Sequence, residues 1–240
     1  MYFQFWGGFC LFPFHSLVWL CPEYTWWNLE ITGSFGTCGI RKGGKPSRAR
    51  HGLGIRLLRI IGGSLKGRTV KSPKGTGTRP TTDRVREAIF NIIAPYIPDC
   101  VFLDLFAGSG AIGIEALSRG ARQVVFVEKS RRAALGIKGS LAELGLVAQA
   151  EVITGDVWTW IPKLAGFDLV FADPPFDQGH VPRLLEAVRT SGVLKPGGLL
   201  VIEHSQRESP GGDLPGLALF RQRKYGSTKV SVFGKEEKES

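Results

Sequence analysis

Four short segments of this chain place carboxylates, glycines and prolines where they could act on a small ligand. Asp104 lies within the apolar run VFLDLF, and the glycine-rich turn AGSGAIG follows at 107–113. Glu128 ends the next apolar run, and Asp-Pro-Pro-Phe occupies 173–176 after a later one. Acceptors and a tight glycine turn at the ends of successive strands predict a site for a nucleotide-like ligand.

The glycine turn alone does not identify that ligand. Gly108, Gly110 and Gly113 have the G-x-G-x-x-G spacing of a dinucleotide site, where the backbone approaches a pyrophosphate at a helix N-terminus. Asp104 separates the alternatives, because an anion beside the turn repels a pyrophosphate but can hold the amino-acid end of a phosphate-free sulfonium cofactor. Glu128 suits the ribose hydroxyls of either cofactor. The charge of Asp104 favours S-adenosylmethionine, although both carboxylates could instead cap the following helices.

The segment 173–176 indicates which reaction such a cofactor would serve. The lone pair of a nucleobase amine is delocalised into the ring, so the amine must be held by acceptors in line with the methyl donor. The carboxylate of Asp173 and the carbonyl of Pro174 are suitable acceptors. Pro174 and Pro175 make the loop rigid, and Phe176 offers a stacking face for the base. These four residues are the predicted catalytic group for methylation of a nucleobase amine.

Six segments carry a resemblance to the RsmD-type 16S ribosomal RNA guanine-N2 methyltransferases: LRIIGGSLKGRTV, RPTTDRVREAIFNII, LDLFAGSGAIGIEALSRGA, VEKS, ADPPF and KYGSTKVSVF. The resemblance extends from about Leu58 to Phe233. It implies that residues 173–176 grip the guanine and that Asp156 meets the adenine of the cofactor, although an aspartate after a strand equally serves as a helix cap. The implied S-adenosylmethionine-binding residues are Asp104, Phe106, Ala107, Gly108, Ser109, Gly110, Glu128, Lys129, Asp156 and Val157.

The same resemblance implies a substrate, a guanine at position 966 (usual RNA numbering) of 16S ribosomal RNA. We expect this RNA within a small-subunit assembly intermediate, with naked RNA as the alternative. We expect a cytoplasmic monomer. A DNA adenine-N6 or cytosine-N4 amino-methyltransferase would use the same Asp-Pro-Pro-Phe segment, but no separate target-recognition domain is visible. A nicotinamide-dependent oxidoreductase would leave Asp104 and that segment without a role. A non-catalytic RNA-binding module would survive Asp173→Ala without loss of function.

The order of apolar and amphipathic runs predicts an α/β fold of the Rossmann-like class I methyltransferase type. Strands and helices alternate from Val101 onward, which indicates a mostly parallel sheet with helices on both faces. The runs LALFRQRKY and TKVSVF predict a β-hairpin, and the resemblance implies that the last strand inserts antiparallel to give a seven-stranded sheet. Before Val101, two basic β-like runs precede a helix capped by Thr82 or Asp83.

Residues 1–57 differ in composition from the rest of the chain. They hold four of the six Trp and three of the four Cys. No Lys or Arg precedes Arg41, and prolines interrupt the apolar stretch, so neither a secretory signal nor a membrane span is expected. The interpretation is a disordered extension, with translation starting at Leu58 as one hypothesis and a genuine leader as the other. We expect an RNA-binding element at 58–98, a methyltransferase domain at 99–235 and a charged tail at 236–240.

The formal charge of +10 is unevenly distributed. Residues 58–90 contain eight Lys or Arg against two acidic residues, whereas residues 91–240 contain seventeen of each. A basic hairpin next to the catalytic site would hold a phosphate backbone, although solvated lysines that deter strand pairing are the alternative. The predicted RNA-binding residues are Arg59, Lys66, Arg68, Lys71, Lys74, Arg79 and Arg84.

Other polar residues are not expected to act chemically. The four cysteines are too scattered for a metal pair or a disulfide framework, so no metal is expected and a reducing compartment is favoured. His204 ends a predicted strand, but an amine that attacks a sulfonium needs little help from a base, so a structural role is expected. Trp158 and Trp160 are expected to cover apolar surface near the cofactor.

Overall fold

The computed structural model of the protein describes residues 55–73, 82–208, 210 and 214–236. The predicted extension up to residue 54 lies outside the described residues, as do Lys74, Arg79 and the tail at 237–240. The first described strand begins at Ile55, three residues before the predicted boundary at Leu58.

The described chain forms a hairpin, then a helix, then alternating strands and helices. The hairpin strands are β1 (Ile55–Arg59) and β2 (Thr69–Pro73), followed by α1 (Asp83–Ile93) and a 3-10 turn (Ala94–Tyr96). The alternating part contains β3 (Val101–Leu105), α2 (Ala111–Ser118), β4 (Gln123–Glu128), α3 (Arg131–Leu144), β5 (Ala150–Thr154), α4 (Val157–Trp160), β6 (Phe167–Ala172), α5 (His180–Thr190) and β7 (Leu194–Ser205). The last strands are β8 (Leu217–Tyr225) and β9 (Thr228–Lys235).

Seven strands form one sheet in the order β5-β4-β3-β6-β7-β9-β8. Strands β3 to β7 are parallel, and β9 inserts antiparallel between β7 and β8. The predicted mostly parallel seven-stranded sheet is therefore confirmed. Strand β7 begins at Leu194, ahead of the apolar run 199–202, because the Lys-Pro-Gly-Gly segment continues the strand through a register shift against β6.

Helices cover both faces of the sheet, which explains the almost unbroken apolar runs of its strands. On one face, Ile89 of α1, Ile114 of α2 and Ile137 of α3 belong to a single buried cluster. On the other face, Val157 of α4 and Leu184 of α5 belong to a second cluster. The central strands β3, β4, β6 and β7 are mostly buried between these two layers, whereas most of the edge strand β8 is exposed.

Two margins of this sheet matter for function. We call the margin at the carboxyl ends of the parallel strands the carboxyl edge, and the opposite margin the amino edge. Helix α2 starts after the turn that follows β3 and runs back to the amino edge, where Arg122 N donates to Cys100 O just before β3 begins (2.9 Å). Helix α3 likewise starts at the carboxyl edge and ends at the amino edge, before β5.

The strands β1 and β2 with their loop, here called the N-terminal hairpin, pack on the carboxyl ends of α2 and α3. Ile61 N donates to Glu115 Oε2 (2.9 Å), and Leu65 N donates to Ser118 Oγ (3.0 Å). Gly63 has φ +76°, and a Cβ added there would lie 1.8 Å from Ser118 O, so only glycine fits. The loop of this hairpin is therefore held near the amino edge.

A buried ion pair strengthens this attachment. Arg86 of α1 is 1% exposed and donates to Arg59 O (2.6 Å) and Asp83 Oδ1 (2.8 Å). Its Nε lies 4.0 Å from Glu115 Oε2, while Arg119 Nε donates to Glu115 Oε1 (2.8 Å). Glu115 thus joins α1, α2 and the N-terminal hairpin, a role that nothing in the sequence pattern predicts.

Candidate functional site

The predicted cofactor-binding and catalytic residues meet at the carboxyl edge. They lie at or just after the ends of β3, β4, β5 and β6, which are neighbours in the sheet order β5-β4-β3-β6. Strand β3 pairs in parallel with β4 on one side and with β6 on the other. Successive strands are therefore added on one side of β3 up to β5 and on its other side from β6 onward, which makes the boundary between β3 and β6 the switch point of the strand order. Ligands of open α/β sheets bind in the crevice at such a switch point. The glycine turn and the segment 173–176 flank this crevice.

The glycines of the turn have different tasks. Gly108 has φ +55°, and a Cβ there would meet only Phe106 O at 3.8 Å, so the backbone beside it faces open space. Gly110 has φ +74° and ends the turn where α2 begins. A Cβ on Gly113 would lie 2.2 Å from Phe126 Cε1, so this glycine allows α2 to pack on β4. Gly108 is the one suited to close approach by a ligand.

Asp104 is buried beneath the turn. It is 1% exposed, and its Oδ2 accepts a hydrogen bond from Gly113 N at 2.9 Å, so it supports the first turn of α2. Burial raises the pKa of Asp104 well above its usual range; the hydrogen bond from Gly113 opposes that rise, and the nearby charge of Glu128 adds to it. The predicted repulsion of a pyrophosphate by Asp104 is correspondingly weaker, because burial disfavours its charged form.

Glu128 braces the turn from the end of β4. Its Oε2 accepts from Gly108 N (2.7 Å), and its Oε1 accepts from Ser130 N (2.7 Å). A carboxylate has about four acceptor positions, so two protein hydrogen bonds leave capacity for hydroxyl donors of a ligand. The half-buried side chain is suited to a ribose and also fixes the shape of the turn.

Asp156 forms the helix cap that the sequence left open as an alternative. Its Oδ1 accepts from Trp158 N (3.0 Å) at the start of α4, and Lys129 Nζ donates to its Oδ2 (2.9 Å). The hydrogen bond from Lys129 is the main reason that the pKa of Asp156 lies below its usual value. Val157, the first residue of α4, is buried. The structure thus brings Lys129 and Asp156 together across the ends of β4 and β5.

The segment 173–176 continues directly from β6. Its neighbour across the crevice is the end of β3, since Leu105 pairs with Ala172. Pro174 is buried, while Asp173, Pro175 and Phe176 are half-buried. Asp177 turns the chain outward with φ +58°. The rigid loop therefore presents its acid and its aromatic ring at the carboxyl edge.

An aromatic cluster that was only partly predicted joins three of these loops. Phe106 packs against Trp158 with ring centroids 5.9 Å apart, and Trp158 lies 5.5 Å from His180. Arg183 places its guanidinium carbon 4.1 Å from the centre of the Trp158 ring. Trp158 does cover apolar surface, as expected. His180 and Arg183 begin α5 after a loop, where no periodic signal marks them.

The predicted RNA-binding residues that are described do not form one group. Arg68 Nη2 donates to Glu143 O (3.2 Å) and Lys71 Nζ donates to Glu143 Oε1 (2.6 Å), at the end of α3 near the amino edge. Arg59 and Lys66 are exposed on the same hairpin. Arg84 is exposed in the first turn of α1. Arg86 lies 4.0 Å from Glu115 and Phe90 lies beneath Arg119, so α1 runs in the same direction as α2 and begins on the side of the carboxyl edge.

Two other potentially reactive side chains, His204 and Cys100, are buried in the protein interior. His204 is buried, with Nδ1 2.9 Å from Ser205 O and Nε2 2.8 Å from Ser231 Oγ. Burial raises the pKa of Cys100 to about 12, which makes its thiol unreactive. Within the described ranges, no three His, Cys, Asp or Glu residues lie close enough to hold a metal ion. No described helix is long and apolar enough to span a membrane.

Comparisons with known proteins agree with one another. A family model described as conserved hypothetical protein 95 matches residues 58–234. Ribosomal RNA small subunit methyltransferase D of Escherichia coli (strain K12) is 36% identical over 194 residues, which are 80% of this chain and 95% of that protein. YlbH of Bacillus subtilis (strain 168), provisionally named an rRNA methyltransferase, is 39% identical over 182 residues, which are 74% of this chain and 99% of that protein.

Solved structures share the fold. The structure of yhhF from Escherichia coli, provisionally titled a methyltransferase, has a TM-score of 0.69 and 33% identity, and covers 76% of this chain and 100% of that chain. An RNA methyltransferase from Salinibacter ruber in complex with S-adenosyl-L-homocysteine has a TM-score of 0.54 at 18% identity, and covers 68% of this chain and 97% of that chain. The second likeness concerns the fold alone. The predicted Rossmann-like methyltransferase fold is confirmed.

Proposed function

Since this chain belongs to the family described as conserved hypothetical protein 95, and so to the RsmD-type methyltransferases that its motifs resemble, we propose that it transfers a methyl group from S-adenosylmethionine to the exocyclic N2 of a guanine in 16S ribosomal RNA. The position equivalent to guanine 966, in an assembling small subunit, is the proposed target. The protein would act as a monomer in the cytoplasm.

One observation carries this proposal. The loop 173–176 and the glycine turn follow adjacent strands, β6 and β3, and flank the switch point of the sheet. A methyl donor along the turn and an amine held by the loop would therefore be close together. In-line transfer between two bound reactants requires this closeness.

The residues at the crevice fit the proposed cofactor. Gly108 leaves open space beside its backbone, and Glu128 retains acceptor capacity for ribose hydroxyls. Lys129 and Asp156 would line the adenine end of the cofactor. Asp156, which accepts a hydrogen bond from Lys129 in this structure, would accept one from the adenine amine, either in addition to that bond or instead of it. When bound, S-adenosylmethionine supplies a methyl group on a positively charged sulfur.

Residues of the loop would prepare the amine. The Asp173 carboxylate and the Pro174 carbonyl would accept the two N2 hydrogens, which orients the nitrogen lone pair toward the methyl group. Phe176 would stack on the guanine ring after the base leaves its helix. When the amine nitrogen gained the methyl group that S-adenosylmethionine supplies, Asp173 or water would take the proton that the nitrogen gives up.

We also propose residues 58–98 as an RNA-binding element attached to a methyltransferase domain at 99–235. Arg84 lies at the carboxyl edge, and Arg59 and Lys66 are exposed on the N-terminal hairpin. Helix α2 has eight residues, which correspond to a length of about 12 Å. The hairpin would therefore contact RNA backbone at a distance from the target base. Lys74 and Arg79, between β2 and α1, belong to the same proposal.

The test is transfer of labelled methyl groups to small-subunit particles that lack this modification, with mapping of the modified base. Asp173→Ala is compared with Asp177→Asn, which neutralises an exposed carboxylate just beyond the catalytic loop and keeps a residue type that tolerates φ +58°. We expect label at one guanine N2, a loss of about 10²–10⁴-fold with Asp173→Ala, and activity near wild type with Asp177→Asn. Label in DNA amines instead of RNA would favour the DNA amino-methyltransferase, and equal activity of both variants would refute the assigned role of Asp173.

Asp104 allows a separate test of the cofactor site. Asp104→Asn keeps an oxygen that can accept from Gly113 N but removes the ionisable group. If the carboxylate holds the amino-acid end of the cofactor, calorimetry will show weaker binding of S-adenosylmethionine, while the fold survives. Unchanged affinity would restrict Asp104 to support of α2.

A further inference from the structure

A second basic surface lies at the carboxyl edge, on strands that the sequence did not assign to RNA. Strands β8 and β9 form a C-terminal hairpin whose turn is Gly226-Ser227. Ser205, at the carboxyl end of β7, pairs with Thr228, and Gln206 N donates to Ser227 O (3.0 Å). The turn is thus on the same margin of the sheet as the catalytic loop. Two strand spacings separate β9 from β6, which is about 10 Å.

The charge of this hairpin is one-sided. Residues 217–235 contain five cations and no anion. Lys235 donates to Ser191 O (3.2 Å) and Leu194 O (2.8 Å) near the amino edge, so it has a structural task. The other four cations cluster around the turn: Arg221, Arg223, Lys224 and Lys229. The equal totals of acids and bases over 91–240 conceal this concentration.

The four cations are available to a ligand. Arg221, Arg223 and Lys224 are exposed, and Lys229 is half-buried. None of the ion pairs found among the described residues includes any of them. Arg223 makes only a long contact with Gln222 O (3.5 Å), and Arg221 lies 5.7 Å from the Phe220 ring centre. Compensation of their charge within the protein is therefore slight.

The register of β8 against β9 places these cations on both faces of the C-terminal hairpin. Arg221 and Arg223 lie opposite Val232 and Val230, whose side chains belong to the buried cluster beneath α1. Lys224 lies opposite Lys229, on the other face of the sheet. Like charges that face each other across two strands destabilise a hairpin unless something compensates them. A polyanion would do so.

We propose that this tip, formed by Arg221, Arg223, Lys224 and Lys229, binds the phosphodiester backbone of the RNA strand next to the target guanine. The inference rests on the proposed function, because it assumes an RNA substrate. Cations that neutralise phosphates release condensed counterions, which gives affinity without sequence preference. A tip beside the catalytic loop would hold the strand while the base turns into the crevice.

Protection of the edge strand β8 against pairing is the other explanation of these charges. Charges that served this purpose would be expected beside the most apolar exposed part of the strand. The first half of β8 instead exposes apolar side chains, with Leu219 39% and Phe220 54% exposed. The cations are confined to the half near the catalytic loop. This distribution favours a ligand at the tip.

The experiment compares two matched double variants, Arg223→Gln/Lys224→Gln and Arg122→Gln/Lys138→Gln. Each removes one exposed Arg and one exposed Lys, but Arg122 lies at the amino edge and Lys138 on the outside of α3. RNA affinity is measured as a function of salt concentration, together with the KM for RNA and the affinity for S-adenosylmethionine. We expect the tip variant to reduce the slope of log K against log salt by roughly 1.4–1.8, and to raise KM without changing cofactor affinity. The control pair should leave all three unchanged.

Each outcome decides the matter. A wild-type slope in the tip variant, when the unaltered protein binds and methylates RNA, overturns this inference and leaves the proposed function intact. A wild-type slope with new dimerisation in sedimentation assigns the cations to edge protection. If the unaltered protein neither binds nor methylates RNA, the proposed function itself is wrong. An equal loss in both pairs would show a diffuse charge effect and also refute a site at the tip.

Discussion

The two basic hairpins of this protein differ in what they are attached to and in where their cations lie. The N-terminal hairpin is tied to α2 and α3, and two of its cations, Arg68 and Lys71, contact Glu143 at the end of α3. The C-terminal hairpin is built into the main sheet, and four of its five cations surround a turn at the carboxyl edge. The comparison shows that a count of basic residues along a chain does not locate the surface where their charge acts.

The largest difference expected between the hairpins is in their attachment. Glu115→Ala removes the acceptor of Ile61 N and leaves Arg86, 1% exposed, without the nearby carboxylate. A buried charge left without any partner costs about 3–5 kcal/mol, and because Arg86 keeps its ion pair with Asp83 (2.8 Å), we expect a loss at the lower end of that range. Urea unfolding should show a loss of that size, and hydrogen exchange at Ile61 should accelerate.

The C-terminal hairpin provides the contrast for this variant. Because β9 pairs with β7 rather than with the hairpin anchor, amide protection at Val230 and Val232 should fall only with global stability. Preferential loss at Val230 would contradict the separation of the two hairpins. The double variant Arg86→Met/Glu115→Met removes both charges and should recover most of the stability.

A smaller loss is expected from the polar network that fixes the C-terminal hairpin. Ser205 O can only accept, so His204 Nδ1 carries the proton, Ser231 Oγ donates to Nε2, and Gln222 Nε2 donates to Ser231 Oγ (2.9 Å). Ser231→Ala leaves a buried ring nitrogen unsatisfied, at a cost of about 1–3 kcal/mol. Ser64→Ala, an exposed hydroxyl on the N-terminal hairpin, is the control in denaturant unfolding and should cost less than about 0.5 kcal/mol.

The same network predicts a pH dependence. Burial lowers the pKa of His204, and the hydrogen bond to Ser205 O only partly opposes this. Below about pH 6.5 the unfolded chain binds a proton that the folded protein rejects, so stability falls as pH decreases until the folded pKa is passed. His204→Gln should remove this part of the acid dependence in unfolding curves at pH 5 to 8. An identical profile for both proteins would show that other groups cause it.

The sequence predicts those parts of the fold that depend on local order. Alternating runs, the glycine turn and the strand-end carboxylates identify the sheet and the loops of its carboxyl edge. The sequence does not reveal Glu115, because its partners Ile61 and Arg86 come from distant segments. Nor does the sequence show that Arg223 and Lys224 lie near the carboxyl edge, since their position depends on the register of β9 against β7 and of β8 against β9. Long-range pairing supplies this information, and no local periodicity contains it.

The ion pair between Lys71 and Glu143 is the weakest attachment of the N-terminal hairpin, so its loss should have the smallest effect on stability. Variants of this pair also test whether the N-terminal hairpin binds RNA as the C-terminal hairpin is proposed to do. Lys71 and Glu143 form an ion pair with side chains 54% and 53% exposed, so Lys71→Gln should change the unfolding free energy by less than about 1 kcal/mol. If Lys71 also contacts RNA, the same variant will reduce the salt dependence of RNA binding by about 0.7–0.9. Glu143→Gln separates these roles, because it releases Lys71 from its protein partner without removing the cation. A steeper salt dependence in Glu143→Gln, with the reverse change in Lys71→Gln, would place RNA on both hairpins. No change in either variant would remove Lys71 from the proposed RNA-binding residues.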